Sequence, residues 1–241
     1  MQLTVLGKYG PFPKAGGATS SYLLSVKNKN ILLDFGAGAF SRLSSIISPK
    51  EVDIIFISHF HSDHSSDLGI LTYYYQTLFA GGYGKKPTVI IPEKSGDESN
   101  IVVNCPYFEV KRVAEGSQLS VGGLSLSFYE MNHPVPCVGV RINDGEKTFS
   151  YTGDTNLSPS VEHLFKGADL VLCDGCFLPC DWAESKPHLS IEHIIDFTNK
   201  YGNKSIISHI NPKYEENELQ KAIQKAEGKC ILAEEGECYR I

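Results

Sequence analysis

The chain has 241 residues, of which 41% are apolar and 21% are charged, and its formal net charge is −6. This composition is ordinary for a soluble globular protein. A chain of this length can bury a full hydrophobic core and does not need disulfides or metal ions to stabilise it. The negative charge argues against a broad nucleic-acid-binding surface, because such a surface needs a basic face.

The termini and the cysteines bear on where the protein works. No apolar run approaches the roughly 20 residues that span a bilayer, and residues 1–7 predict a first strand rather than a signal peptide. The seven cysteines are scattered and odd in number, which suits reduced thiols better than a disulfide framework. We therefore expect a cytoplasmic protein with no membrane partner.

The first half of the chain opens with apolar runs that are rich in β-branched residues and are separated by Gly, Asn and Lys, a pattern that predicts strands. Apolar residues at helical spacing predict one helix that stops before Pro49 and a second that ends at Gly81 and Gly82. The predicted strands are residues 3–6, 22–26, 31–33, 53–58 and 87–91, and the predicted helices are residues 40–47 and 65–79.

The second half repeats the progression from strands to helices. Ser158 followed by Pro159 is typical of a helix start. Strands are predicted at residues 108–113, 124–131, 138–143, 147–152, 170–173, 205–208, 230–233 and 238–241, and helices at residues 158–166, 191–201 and 215–227. Two sheets packed face to face with helices outside fit this order, so we predict an α/β (α+β) fold, a four-layer αββα sandwich, as one domain over residues 1–241.

The segment Ser58-His-Phe-His-Ser-Asp-His64 follows a predicted strand and carries three imidazoles and a carboxylate, which are ligand types for Zn²⁺. On an extended segment, His59 and His61 can point to the same side. Asp63 and His64 fall on the following turn and can face a second ion about 3.5–4 Å away. The alternative is a polar loop of exposed histidines. Three of the eight histidines lie here, which favours a metal site.

Three later residues extend this cluster. His133, Asp154 and His209 each follow a predicted strand, where a rigid element can hold a ligand in place. Singly, each is typical of a cap or a satisfied polar group. Together with the first cluster they supply more ligands than one tetrahedral ion needs, which indicates two ions.

The order of these residues resembles the metallo-β-lactamase superfamily over nearly the whole chain. The resemblance implies a four-layer sandwich with two ions, usually zinc and in some branches manganese or iron, and a hydroxide between them. It implies that Asp34 has a structural role, in which its hydrogen bonds hold the metal loop. It further implies that one ion is bound by His59, His61 and His133, that the other is bound by Asp63, His64 and His209, and that Asp154 bridges them.

Two sequence segments resemble the ribonuclease Z and phosphodiesterase branch. In residues 132–142, His133 precedes a Gly-Val-Arg-Ile strand, and residues 151–155 surround Asp154. A third is Lys186-Pro-His-Leu-Ser190 before the helix 191–201. The resemblance implies that Asp63 and His188 are catalytic, with His188 donating a proton to the leaving oxygen. The alternative is that His188 is a solvent-exposed residue at a helix start.

The sequence also departs from that branch. Only 21 positions separate His133 from Asp154 (154 − 133 = 21), which leaves no room for the long arm that grips tRNA, so precursor tRNA is not the expected partner. The branch's acidic motif is altered to Cys173-Asp174-Gly175-Cys176, in which Asp174 could orient His188. We expect Cys173, Cys176 and Cys180 to be structural or incidental thiols.

The chain is similar to small, stand-alone bacterial hydrolases of this branch. We expect a phosphodiesterase that acts on a small phosphodiester, such as a cyclic nucleotide or short oligonucleotide, through the hydroxide that bridges the metals. The alternatives are hydrolysis of an ester, thioester or lactone on the same metals, and a metal-binding scaffold without catalysis. The resemblance also implies a homodimer.

Overall fold

Two mixed β-sheets form the centre of the fold in the computed structural model, which describes residues 1–226 and 228–241. The strands in chain order are β1 (Gln2–Gly7), β2 (Ser21–Val26), β3 (Lys29–Phe35), β4 (Ile54–Phe56), β5 (Thr88–Pro92), β6 (Glu109–Val113), β7 (Gln118–Val121), β8 (Leu124–Glu130), β9 (Val138–Asn143), β10 (Thr148–Tyr151), β11 (Leu170–Asp174), β12 (Lys204–Ser208), β13 (Cys230–Leu232) and β14 (Cys238–Arg240).

The two sheets share one plan. The first has the order β14-β1-β2-β3-β4-β5-β6 and the second has the order β13-β12-β11-β10-β9-β8-β7. Across each sheet, one half is antiparallel and the other half is parallel. In the first sheet β14, β1, β2 and β3 pair antiparallel and β3 to β6 run parallel; in the second sheet β7 to β10 pair antiparallel and β10 to β13 run parallel. Parallel strands need crossover connections, and these connections carry most of the helices.

Helices cover the outer faces of the two sheets. The α-helices are α1 (Ala39–Ile46), α2 (Ser62–Ser65), α3 (Leu68–Ala80), α4 (Asn100–Val103), α5 (Pro159–Phe165), α6 (Ile191–Tyr201) and α7 (Glu216–Ile223). Short 3₁₀ turns lie at Pro49–Glu51, Asp97–Ser99, Pro179–Asp181 and Gln224–Ala226. Within residues 1–226 and 228–241, no helix combines the length and the apolar character that crossing a bilayer requires.

Three apolar layers hold the sandwich together. Between the sheets, residues such as Phe56 and Phe128 pack against each other, with ring centroids 5.9 Å apart. A second layer joins α1, α3 and α4 to the first sheet, and a third joins α5, α6 and α7 to the second sheet. Two faces of each sheet are therefore buried, which confirms the predicted four-layer αββα sandwich.

Most predicted elements are present, and Ser158 caps α5 by accepting a hydrogen bond from the backbone N–H of Val161. The predicted helix 65–79 is present as α3, which begins at Leu68 rather than Ser65, and Ser65 instead ends the short helix α2. The carboxylate of Asp67, just before α3, accepts a hydrogen bond from the backbone N–H of Phe40 at 2.7 Å. β7 and α4 were not predicted: β7 alternates between exposed and half-buried residues, and α4 is a single turn. The predicted helix 215–227 begins at Glu216, and its last residue, Glu227, lies outside the described residues.

Candidate metal centre

The candidate centre lies where loops leave β4, β8, β10 and β12. Residues 58–64 follow β4, and His133, Asp154 and His209 follow β8, β10 and β12 within three residues of each strand end. The structure thus brings all seven predicted ligands together, with residues 59–64 from the first half of the chain and the other three from the second half.

Asp34, in β3, holds the loop that carries the first four ligands. Its Oδ1 accepts the backbone N–H of Ser58 at 2.6 Å. Its Oδ2 accepts the hydroxyls of Ser58 and Tyr151 at 2.7 and 2.6 Å, and lies 2.7 Å from Nδ1 of His64. The carboxylate is completely buried and has a left-handed backbone with φ of 54°. Four donors on one buried carboxylate fix both ends of the loop, as the resemblance implied for Asp34.

The first ligand set is formed by three imidazoles. Nδ1 of His61 lies 3.0 Å from Nε2 of His59 and 3.2 Å from Nε2 of His133. Burial is the largest influence on all three rings and lowers their pKa, for His59 to well below the usual value. The rings are therefore neutral, which is the form that binds a metal.

Hydrogen bonds on the outer nitrogens fix which nitrogen faces the centre. Nδ1–H of His133 donates to the carbonyl of Pro187 at 3.2 Å. Since the Ser58 hydroxyl donates to Asp34, it accepts from Nδ1–H of His59 at 3.0 Å. Both rings then present the lone pair of Nε2 to the centre, as outer partners do for metal-binding histidines.

The second ligand set contains Asp63, His64 and His209. Nε2 of His209 lies 3.1 Å from Oδ2 of Asp63, and Nε2 of His64 lies 3.6 Å from the same oxygen. Nδ1–H of His64 donates to Asp34, so its Nε2 faces Asp63. These side chains are almost completely buried, in contrast to the partly exposed His61 and His133.

Asp154 contacts both sets. Its Oδ2 lies 3.6 Å from Nε2 of His59 and 3.2 Å from Nε2 of His209, and its Oδ1 lies 3.2 Å from Nε2 of His64. The residue is 2% exposed. A carboxylate that contacts both ligand sets could bind two ions, and the bridging role of Asp154 stays a prediction.

Buried polar atoms without partners test whether these residues fit a metal. Among the described residues, Nε2 of His64 and Oδ1 of Asp154 are buried without a hydrogen bond that meets normal geometry, although such atoms normally have one. They lie 3.2 Å apart, and Nδ1 of His64 already carries the proton that it donates to Asp34. Burial lowers the pKa of His64, but the Asp154 and Asp34 carboxylates outweigh it and raise the pKa to about 10. A positive charge between these carboxylates is therefore stabilised. Imidazole nitrogens and carboxylate oxygens are ligands of divalent metals, so the residues of the cluster fit a divalent metal ion.

His188 lies against this cluster. Its Nδ1–H donates to Oδ2 of Asp174 at 2.8 Å, and its ring stacks on that of His209 with centroids 4.8 Å apart. Asp174 ends β11 and also accepts the backbone N–H groups of Thr155 and Cys176 at 3.0 and 3.1 Å. The side chain of His188 is 13% exposed, so the alternative of a solvent-exposed residue is wrong. Its catalytic role stays a prediction.

Two residues were missed by the sequence analysis. A Cβ on Gly10 would lie 2.1 Å from Nε2 of His209, so only glycine leaves room for that ligand, and no pattern in the sequence indicates this. Cys176 was expected to be an incidental thiol, yet its Sγ lies within 4.8 Å of ligand atoms of His188 and His209. Cys176 follows Asp174 by two residues in the sequence, and this closeness to the residue expected to orient His188 could have indicated that the thiol lies near the site. Cys173 is buried in the layer between the second sheet and its helices, and Cys180 is exposed.

Comparison with known proteins places this site in a family. Residues 29–210 match the family described as "Beta-lactamase superfamily domain". The chain is 31% identical to "Probable metallo-hydrolase YhfI" from Bacillus subtilis, over 79% of this chain and 78% of that protein. The crystal structure of YhfI superimposes with a TM-score of 0.92 at 25% identity, and the superposition covers 99% of this chain and 98% of YhfI.

Ribonucleases are among the further relatives. The chain is 24% identical to "Ribonuclease Z" from Mycolicibacterium gilvum, over 82% of this chain and 76% of that protein. The short form of human tRNase Z has the same fold, with a TM-score of 0.78 at 16% identity over 100% of this chain and 99% of the human chain. The chain therefore belongs to the metallo-β-lactamase superfamily and is a metallo-hydrolase of that fold.

Proposed function

We propose that the protein is a phosphodiesterase that uses two metal ions, with zinc as the expected metal, and acts on a small phosphodiester such as a cyclic nucleotide or short oligonucleotide. The observation that carries the proposal is the His188–Asp174 pair, which places an oriented imidazole beside the metal centre. A phosphodiester needs such a group, because its leaving alkoxide must receive a proton.

Different residues would hold the proton for the leaving group and the two metal ions. Asp174 accepts Nδ1–H of His188, so Nε2 is the nitrogen that holds the proton for the leaving oxygen. His59, His61 and His133 would hold one ion, Asp63, His64 and His209 the other, and Asp154 would bind both. When bound, the ions would supply Lewis acidity that activates water and stabilises charge on the phosphoryl oxygens.

The size of the substrate is inferred from what surrounds the centre. Between His133 and Asp154 the chain forms only β9, β10 and the turn at residues 144–147, so this connection carries no arm that could grip a folded RNA. The net charge of −6 also disfavours a large polyanion. The ribonuclease Z relative supports phosphodiester chemistry, and these two features favour a small substrate over precursor tRNA.

The test is turnover of bis-p-nitrophenyl phosphate by the zinc-loaded protein, with metal content measured in parallel. We expect clear turnover of this substrate, with only a small loss in His188→Ala, because p-nitrophenolate leaves without a proton. With a 2′,3′-cyclic nucleotide, whose leaving group is an alkoxide, we expect His188→Ala to lower kcat by about 10²–10⁴-fold while both metals remain bound. The matched control is His163→Gln, since His163 is an exposed histidine on α5, away from the centre.

A protein that holds two metals per chain and hydrolyses no phosphodiester would contradict the proposal. Assays with p-nitrophenyl acetate, a thioester and a lactone would then test the carbonyl substrates. Full activity of His188→Ala on the cyclic nucleotide would instead remove the proton-donor role and keep the metal centre.

A further inference from the structure

A cavity of about 280 Å³ opens beside the metal centre, next to His61. Ligand pockets in proteins usually measure about 300–1,000 Å³, so this cavity suits one ring-sized group rather than a whole large ligand. His61 forms the end of the cavity that faces the centre, and the other walls that matter here are Phe60, Lys94, Glu98, Val135 and Pro136.

One wall of the cavity is apolar and partly aromatic. Phe60 lies between the ligands His59 and His61 and is half-buried, and its ring packs against the apolar layer between the first sheet and its helices. Val135 and Pro136 continue this surface two and three residues after His133. A flat ring binds more tightly when it stacks on an aromatic side chain, so this wall favours an aromatic occupant.

The rim of the cavity carries the positive charge of Lys94 and the negative charge of Glu98. Outside the cavity, the ammonium of Lys94 lies 3.8 Å from Glu130, and these two side chains are 71% and 57% exposed. Such an exposed pair is weak, so Lys94 can still donate to a ligand. Glu98 is also exposed and can accept a hydrogen bond. A donor and an acceptor on one rim match the polar edge of a heterocyclic base, which carries both kinds of group.

We propose that this cavity binds the nucleobase of a nucleoside phosphodiester, with Phe60 stacking on the base and with Lys94 and Glu98 contacting its polar edge. The inference rests on the proposed function, because it places the phosphorus at the metal centre while the base lies beside His61. His188 and Asp174 are not among the residues that line the cavity. In a linear phosphodiester, the base in this cavity therefore belongs to the nucleoside that stays on the phosphorus, and not to the alcohol that His188 protonates.

The first test is a binding measurement. Calorimetry on the zinc-loaded protein compares thymidine 5′-monophosphate with 2-deoxyribose 5-phosphate, which has the same sugar and phosphate without the base. We expect thymidine 5′-monophosphate to bind about tenfold tighter or more. Phe60→Leu and Lys94→Ala should each reduce this preference several-fold. Phe60→Tyr should retain it, and so should Lys111→Ala, which removes an exposed lysine on the edge strand β6.

The second test varies the retained group and keeps p-nitrophenolate as the leaving group. The methyl, phenyl and thymidine 5′-esters of p-nitrophenyl phosphate should rise in kcat/KM in that order, and Phe60→Leu should flatten the series. Equal kcat/KM for the methyl and thymidine esters, together with equal binding of the two phosphates, would overturn the cavity assignment while the phosphodiesterase stands. Preferential binding of thymidine 5′-monophosphate with no ester hydrolysed would overturn the phosphodiesterase and leave the cavity assignment in place.

Discussion

The two ligand sets of the centre differ in chemistry and in depth. The first, His59, His61 and His133, consists of neutral imidazoles, and its outer partners are the neutral Ser58 hydroxyl and Pro187 carbonyl. The second set includes a carboxylate, is almost completely buried, and is backed by the charged Asp34. The first set therefore faces the substrate side through the partly exposed rings of His61 and His133, whereas the charge of Asp34 fixes the second set from behind.

The largest expected effect comes from removing the residue that both sets share. Asp154→Ala takes away a carboxylate that contacts His59, His64 and His209. Loss of metal-ion stabilisation is worth several kcal/mol, so we expect kcat to fall by about 10³-fold or more. Turnover of bis-p-nitrophenyl phosphate and metal content check this. Two tightly bound metals in the variant would show that Asp154 does not bridge them.

Asp34→Asn should separate the two sets. The amide keeps the shape, but it removes the charge that faces His64 and puts an N–H group among four donors. We expect the variant to lose about 3–5 kcal/mol of the free energy of unfolding, because a buried charged network is broken, and to bind the second metal about 10–100-fold more weakly. Urea unfolding and metal titration measure both. Tyr151→Phe, which removes one of the donors, should cost less.

Gly10→Ala tests the second set from its other side. The added Cβ would lie 2.1 Å from Nε2 of His209, so the ring must move away from its metal position. We expect about tenfold weaker binding of one metal and no change in the other, seen as two separated phases in a titration with Co²⁺ and its absorption spectrum. Uniform weakening of both metals would show that the loop at Gly10 acts on the whole centre.

Ser58→Ala should have an effect no larger than that of Gly10→Ala, and it should fall on the first set. The variant loses the hydroxyl that accepts Nδ1–H of His59, and an outer partner of this kind is worth about tenfold in metal affinity. The backbone N–H of Ser58 still donates to Asp34, so the second set is retained. A loss confined to the second metal would reverse the assignment of this residue.

Much of the fold and of the metal centre could be predicted from the sequence. The ligands His59 to His64 lie close together along the chain, and His133, Asp154 and His209 each follow an apolar strand, so local patterns indicated them. Gly10 and the cavity beside Phe60 could not be predicted, because each depends on a contact between segments far apart in the chain. β7 was missed because its alternation of exposed and half-buried residues is weak.

The shared plan of the two sheets has a consequence for folding. Each sheet runs from antiparallel to parallel strands, and the ligands divide between them, with four at residues 59–64 and three at residues 133–209. Neither half of the chain can complete a metal site alone. Bound ions therefore act as a reversible cross-link between the two halves, and a chelator should loosen the sandwich along the seam between its sheets before either sheet melts.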